Sequence, residues 1–167
     1  MTSNATALAN YFIDLAARDQ IEIRQFGLMK RVYITHGFCL ALFDISALDP
    51  RFDVVEAWKN GPVIPSVYHS FKYNGNNPIK EKSIFVRPEK GFKIETPELA
   101  DERIRKIANA IWSRYDGMTD DELIKLTHQK GTPWDLCYVE GENKIIPDLY
   151  TKAYYKKLIA YERDRYS

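Results

Sequence analysis

Apolar residues recur at three- and four-residue intervals along most of the chain, the spacing that places them on one face of a helix. From Asn4 to about Arg18 the set Leu8, Tyr11, Phe12, Leu15 and Ala16 predicts a first helix, with Thr2, Ser3 and Asn4 as possible N-caps. Between about Ile23 and Phe43, residues Phe26, Met29, Val32, Tyr33, Phe38, Leu40 and Phe43 make a second helix apolar on much of its circumference. That predicts a central helix buried on most sides. A further set, Leu99, Ile104, Ile107, Ala108, Ile111 and Trp112, predicts a helix from Pro97 to about Tyr115. Thr119 followed by Glu122 has the spacing of a capping box and opens a short helix. Thr132-Pro133-Trp134 is a cap with proline at the first helical position, and a last helix from about Pro147 carries Leu149, Tyr150, Tyr154, Leu158 and Tyr161.

Proline, glycine and asparagine interrupt this pattern. Asp49-Pro50 ends the central helix region, and Gly61-Pro62 punctuates the run from Val54 into the apolar segment Val63 to Tyr73. Pro62 or Pro65 is suited to the first turn of a short helix, where no intrahelical N–H is needed. After the loop Asn74-Gly75-Asn76-Asn77-Pro78, Ile84-Phe85-Val86 and Phe92-Lys93-Ile94 predict one β-hairpin joined by residues 87–91. There is no alternation of strands and helices, which argues against a doubly wound nucleotide-binding fold. The expected architecture is mainly α, a single-domain helical fold over residues 1–167 around a long central helix, with a small antiparallel hairpin.

Composition changes little in this picture. At 167 residues, 45% hydrophobic and 28% charged, the chain has the make-up of one globular domain and not of a disordered segment. Cys39 and Cys137 lie far apart in apolar surroundings and read as reduced core residues of a cytoplasmic protein. The N-terminal residues do not form a secretion signal, and no apolar run is long enough to predict a membrane span.

Charge is more informative locally than in total. The net charge of +1 removes the simplest case for nucleic-acid binding, yet residues 72–93 hold six positive groups against two negative, and residues 150–167 five against two. The rest of the chain is correspondingly acidic. Such a division suits an acidic protein partner steered onto the hairpin or the last helix. Lysines and arginines interleaved with Tyr150, Tyr154, Tyr155, Tyr161 and Tyr166 also fit nucleic-acid contact, although the tyrosine spacing reads first as an apolar stripe.

Candidate chemistry is sparse. His36, His69 and His128 are dispersed without metal-ligand spacing, so no metal or other cofactor is expected. Neither a phosphate loop nor a nucleophile elbow occurs, and no catalytic residues are assigned. His128, after Thr127 and six residues before Trp134, reads as a hydrogen-bonded histidine pinning a loop, since the motif supplies no second catalytic partner.

Four blocks taken in order resemble a known family. They are Ala9-Asn10-Tyr11-Phe12-Ile13; Leu28-Met29-Lys30-Arg31-Val32-Tyr33; Glu56-Ala57-Trp58-Lys59-Asn60-Gly61-Pro62-Val63-Ile64-Pro65-Ser66-Val67-Tyr68; and Leu126-Thr127-His128 with Pro133-Trp134, followed by Ile145-Ile146-Pro147 at the start of the closing helix. Together they are similar to the Panacea family of antitoxin domains, the SocA-like proteins and their phage-associated GepA-like relatives. Arg31 departs from the pattern, which is commonly apolar there.

The resemblance implies an intracellular protein that neutralises a cognate protein toxin, usually the product of a neighbouring gene, by direct contact. It further implies, as alternatives, an adaptor that delivers a client to a ClpXP-type protease or a phage-encoded protein-binding module. No reaction comes with the family. Its motif positions, Lys30, Tyr33, Glu56, Trp58, Gly61, Pro62, Pro65, Tyr68, Thr127, His128, Pro133 and Trp134, are expected to hold the scaffold. Contact with the partner is expected on the hairpin, through Lys82, Arg87, Lys90 and Lys93.

Overall fold

The structure is a computed structural model that describes residues 4–166, the Tyr166 side chain excepted. Thr2 and Ser3 lie outside the described residues. Asn4 caps α1 (Ala5–Asp19), its side chain accepting from the Ala7 N–H at 2.7 Å. The central helix α2 (Gln25–Phe43) packs against α1, α3 (Pro65–Phe71), α4 (Glu102–Tyr115), α5 (Asp120–His128) and α7 (Asp148–Tyr166). Its surface is buried almost all round, as the scattered apolar pattern predicts. Five polar side chains, Gln25, Lys30, Arg31, Thr35 and His36, are buried with it.

Local chemistry places the shorter helices as expected. Thr119 and Glu122 exchange the reciprocal bonds of a capping box at α5, satisfying two N-terminal donors. Thr132 caps α6 (Pro133–Cys137), with Pro133 in its first turn. Of the two proline candidates, Pro65 opens α3 and Pro62 lies in a strand.

Three expectations are corrected. Helix α4 begins at Glu102, not at Pro97, because Asp101 is its N-cap and the Pro97 carbonyl is committed to the Asn10 amide at 3.1 Å. A second sheet accompanies the hairpin: β1 (Glu56–Trp58) pairs with β2 (Gly61–Val63) and with β5 (Lys144–Ile145), all antiparallel. Strands of two or three residues are too short to show an alternation. On α7 the buried residues are Thr151 and Tyr155, whereas Leu149, Tyr150 and Tyr161 are exposed. Apolar residues occur on several sides of that helix, so its spacing alone does not select the buried face; the contact with α2 does.

The predicted hairpin is present as β3 (Phe85–Glu89) and β4 (Gly91–Glu95), its strands continuing to a tight turn at Lys90. Gly91 supplies the positive φ of 89° that this turn requires. Asn10, buried on α1, holds both roots of the hairpin: its amide donates to the carbonyls of Ser83 and Pro97, and its oxygen accepts from the Ser83 N–H at 2.8 Å. Asp53 has a similar pinning role, accepting from the N–H groups of Ala5 and Asp49, both at 2.9 Å, and from the Ser66 hydroxyl. It joins the start of α1 to α3 through a buried carboxylate. Among the described residues no helix is long and apolar enough to cross a membrane.

Candidate functional site

The motif residues other than Tyr33 lie where α2, the β1–β2 turn, α3, α5 and α6 come together. Lys30 is the centre of this cluster. It projects from the second turn of α2, is 1% exposed, and donates from Nζ to the Pro62 carbonyl at 2.7 Å. Burial lowers its pKa to about 7, because an ammonium loses its hydration there and gains one carbonyl acceptor. The approach requires Gly61: at φ 110° the turn admits glycine readily, and a β-carbon there would lie 3.0 Å from Nζ.

Aromatic rings close the other side. Trp58 donates from Nε1 to Glu56 at 2.7 Å and meets Tyr68 edge to face at 5.1 Å. The Trp134 indole donates to the Trp58 carbonyl at 2.5 Å, its ring stacked on Tyr138 and perpendicular to His128. Thr127 bonds back to the Leu123 carbonyl within α5. His128 Nδ1 pairs with the Ile124 carbonyl, which accepts only, so the proton sits on Nδ1. Its hydrogen bond is thus spent inside its own helix, and among the described residues no carboxylate orients it as a base.

Pro133 and Pro65 enter the cluster as helix openers, and Tyr33 lies apart. The Tyr33 hydroxyl is 3.4 Å from that of Thr151 and its ring meets Tyr155, so it belongs to the α2–α7 contact. Trp58 and Trp134 are only partly buried against the core. Trp134→Ala should therefore cost roughly 3 kcal/mol, the low end for a large aromatic truncation. Urea melts would show this as a lower midpoint at unchanged slope; an unaltered midpoint would mean that the ring is not part of the scaffold.

Several polar residues outside the motifs are integral to the fold. Arg31 is buried, donates to the Tyr115 carbonyl at 2.8 Å and lies over the Trp112 ring. Trp112 in turn donates to Asp19, whose carboxyl is held down to about 2, first by Arg18 and then by this indole. His36, fully buried, accepts the Ala47 N–H at Nδ1, so Nε2 carries the proton toward Asp148 at 3.0 Å. This pair fastens the first turn of α7 to α2. The departure at Arg31 was the one advance signal among these; nothing in the spacing marks His36, Asp19 or Asp53.

Cys39 is buried and free, and burial pushes its thiol up to about 12, leaving it unreactive at neutral pH. Cys137 is free and shifted in the same direction. Among the described residues no three His, Cys, Asp or Glu side chains converge as metal ligands.

The four hairpin cations are not equivalent. Arg87 and Lys93 both pair with Glu95, at 3.2 and 3.4 Å, on the face turned toward the body. Lys82 pairs with Asp14 of α1. Lys90, at the tip, has no ion-pair partner among the described residues.

The family described as antitoxin SocA-like, Panacea domain, matches residues 28–135, from the start of the Lys30 block through Trp134. Antitoxin SocA of Caulobacter vibrioides (strain NA1000 / CB15N) is 32% identical over 133 residues, covering 80% of this chain and 69% of that protein. No solved structure matches. The matched region contains all twelve motif residues, and the chain belongs to the antitoxin SocA-like, Panacea domain family.

Proposed function

We propose that this chain is an antitoxin that neutralises a protein toxin by direct binding. The observation that carries the reading is family membership over residues 28–135 together with the 32% identity to antitoxin SocA. The use of the motif's polar groups supports binding over catalysis. Lys30 holds Pro62, His128 holds its own helix, and the two indoles hold Glu56 and the Trp58 carbonyl. A scaffold so committed leaves recognition to surface elements.

The test is growth with the product of the neighbouring gene expressed alone and together with this chain. Arrest by the neighbour alone and recovery on co-expression is the expected result, with a stable complex of the two purified proteins. Arrest that persists despite soluble expression of both would remove the reading. Recovery that requires a ClpXP-type protease, with toxin levels falling, would assign delivery to proteolysis in place of neutralisation by binding.

A further inference from the structure

Residues 84–96, which carry the hairpin β3–β4, are held together by contacts among themselves. The strands pair in register from Phe85 with Glu95 to Glu89 with Gly91, Arg87 and Lys93 both pair with Glu95, and the Arg87 guanidinium lies over the Phe85 ring. Among the described residues no hydrogen bond, ion pair or ring contact joins this segment to the rest of the protein. None of its side chains is buried. A cleft of about 730 Å³ lies between its inner face, which carries Phe85, Arg87, Lys93 and Glu95, and Asp49, Arg51 and Phe52 of the body.

The hold of the body on the chain ends at the two roots. Before the hairpin, Ile79 is buried with its N–H on the Ile23 carbonyl, and Lys82 pairs with Asp14. After it, Pro97 and Leu99 are buried. Asn10, 2% exposed on α1, is the last link on both sides: its amide donates to the Ser83 carbonyl at 3.0 Å and the Pro97 carbonyl at 3.1 Å, and its oxygen accepts from the Ser83 N–H. An amide suits this position because it offers two donors and an acceptor at once. An isolated two-stranded hairpin is marginal in water. Without core contacts, the order of this one depends on the entropy of bringing Ser83 and Pro97 together, and Asn10 removes that cost.

We infer that residues 84–96 form a two-state arm latched by Asn10: with the three root bonds made the strands pair in register, and with them broken the arm opens as one unit while the helices stay folded. Local opening of this kind belongs to segments with few contacts to their surroundings. The latch sets how much of the time Val86 with Ile94 and Pro88 with Phe92, the exposed apolar pairs of the outer face, stand opposite one another. A ligand of the ordered arm would lose apparent affinity in proportion to the latched fraction, with none of its own contacts changed.

The experiment is native-state hydrogen exchange with limited trypsin digestion, both on the full chain. In the wild type the paired amides of β3 and β4 should exchange through an opening insensitive to low urea, whereas those of α2 exchange only through urea-sensitive global unfolding. Asn10→Ala should speed exchange of the arm amides about 100-fold, as loss of three hydrogen bonds does. The α2 amides should change by less than about tenfold, because the body loses only what the arm contributed. Trypsin should cut at Arg87, Lys90 and Lys93 faster in the variant, since cleavage follows the open population, and leave a nicked body that stays folded. Oxidised Val86→Cys/Ile94→Cys, a bridge between directly opposite and exposed positions, should restore protection to the arm of Asn10→Ala by pairing the strands without the latch.

Arm amides that exchange only by global unfolding in the wild type would overturn the two-state arm, and this holds even should Asn10→Ala fail to fold. Unchanged arm exchange in Asn10→Ala would remove the latch. Equal acceleration in the arm and in α2, or an arm that the bridge does not restore, would make Asn10 a support of the whole fold in its place.

Discussion

Replacing Lys30 by methionine should flatten the rise of stability with pH that the wild type shows above about pH 7. In the unfolded chain this lysine titrates at its ordinary 10.5, and in the folded protein burial brings it to about 7. Between those values the unfolded state binds the extra proton, so unfolding becomes harder as pH rises, by at most about 1.4 kcal/mol per pH unit. Below about 7 both states are protonated and the full cost of burying the ammonium is present. Methionine has similar length and no charge, but it leaves the buried Pro62 carbonyl without its donor. The variant should therefore be the more stable protein at pH 6, and the wild type should gain on it steadily toward pH 8.5. That window lies below the range in which the buried thiol of Cys39 and the phenols of Tyr33 and Tyr155 oppose the trend. Their folded-state values are raised, so their contribution is lost at higher pH, as the unfolded groups ionise. Urea melts of the two proteins at half-unit steps give the difference directly. Parallel curves would show that Lys30 is charged and satisfied, with an acceptor beyond Pro62.

A side chain at position 37 should separate α7 from the central helix. Gly37 lies in the middle of α2, where alanine would ordinarily be favoured by up to about 1 kcal/mol. Here the ring of Tyr155 occupies the space that a β-carbon needs. Tyr155 is buried among Tyr33, Phe38 and Tyr154, so moving its ring away would give up these contacts. Gly37→Ala should cost about 3 kcal/mol, the upper part of the range for overpacking a core, and Gly37→Val more. Trimming the ring tests the cause. Gly37→Ala combined with Tyr155→Leu should lose less than the two single changes added together, the signature of residues in contact. Additive losses, or a Gly37→Ala protein that melts like wild type, would remove the close approach as the reason for glycine.

Both predictions rest on contacts that no local pattern reveals. The mainly α architecture was legible because helix formation is local: a buried face repeats every three to four residues, and Thr119 with Glu122, Thr132 with Pro133, and Asn4 each announce a helix start. The hairpin was legible for a similar reason, with Gly91 at its turn. The sheet of β1, β2 and β5 was not, since two- and three-residue strands are defined by their partners, and Ile145 lies about ninety residues from Glu56. The start of α4 was misplaced because Pro97 and its neighbours have a competing tertiary use at Asn10.

The same division applies to the candidate sites. Sequence motifs pointed to Lys30, Trp58, Gly61, Pro62, His128 and Trp134, and to the family, because such residues at fixed spacing can be recognised without knowing what they touch. They did not say that Lys30 is buried on Pro62, or that Trp134 holds the Trp58 carbonyl. Composition likewise marked the hairpin as basic, and only the folded chain divides it into an ion-paired inner face and an apolar outer one. Charge and periodicity are properties of neighbours along the chain. Desolvation, ion pairing and exposure depend on which distant segments arrive beside a residue, and these the tertiary structure alone decided.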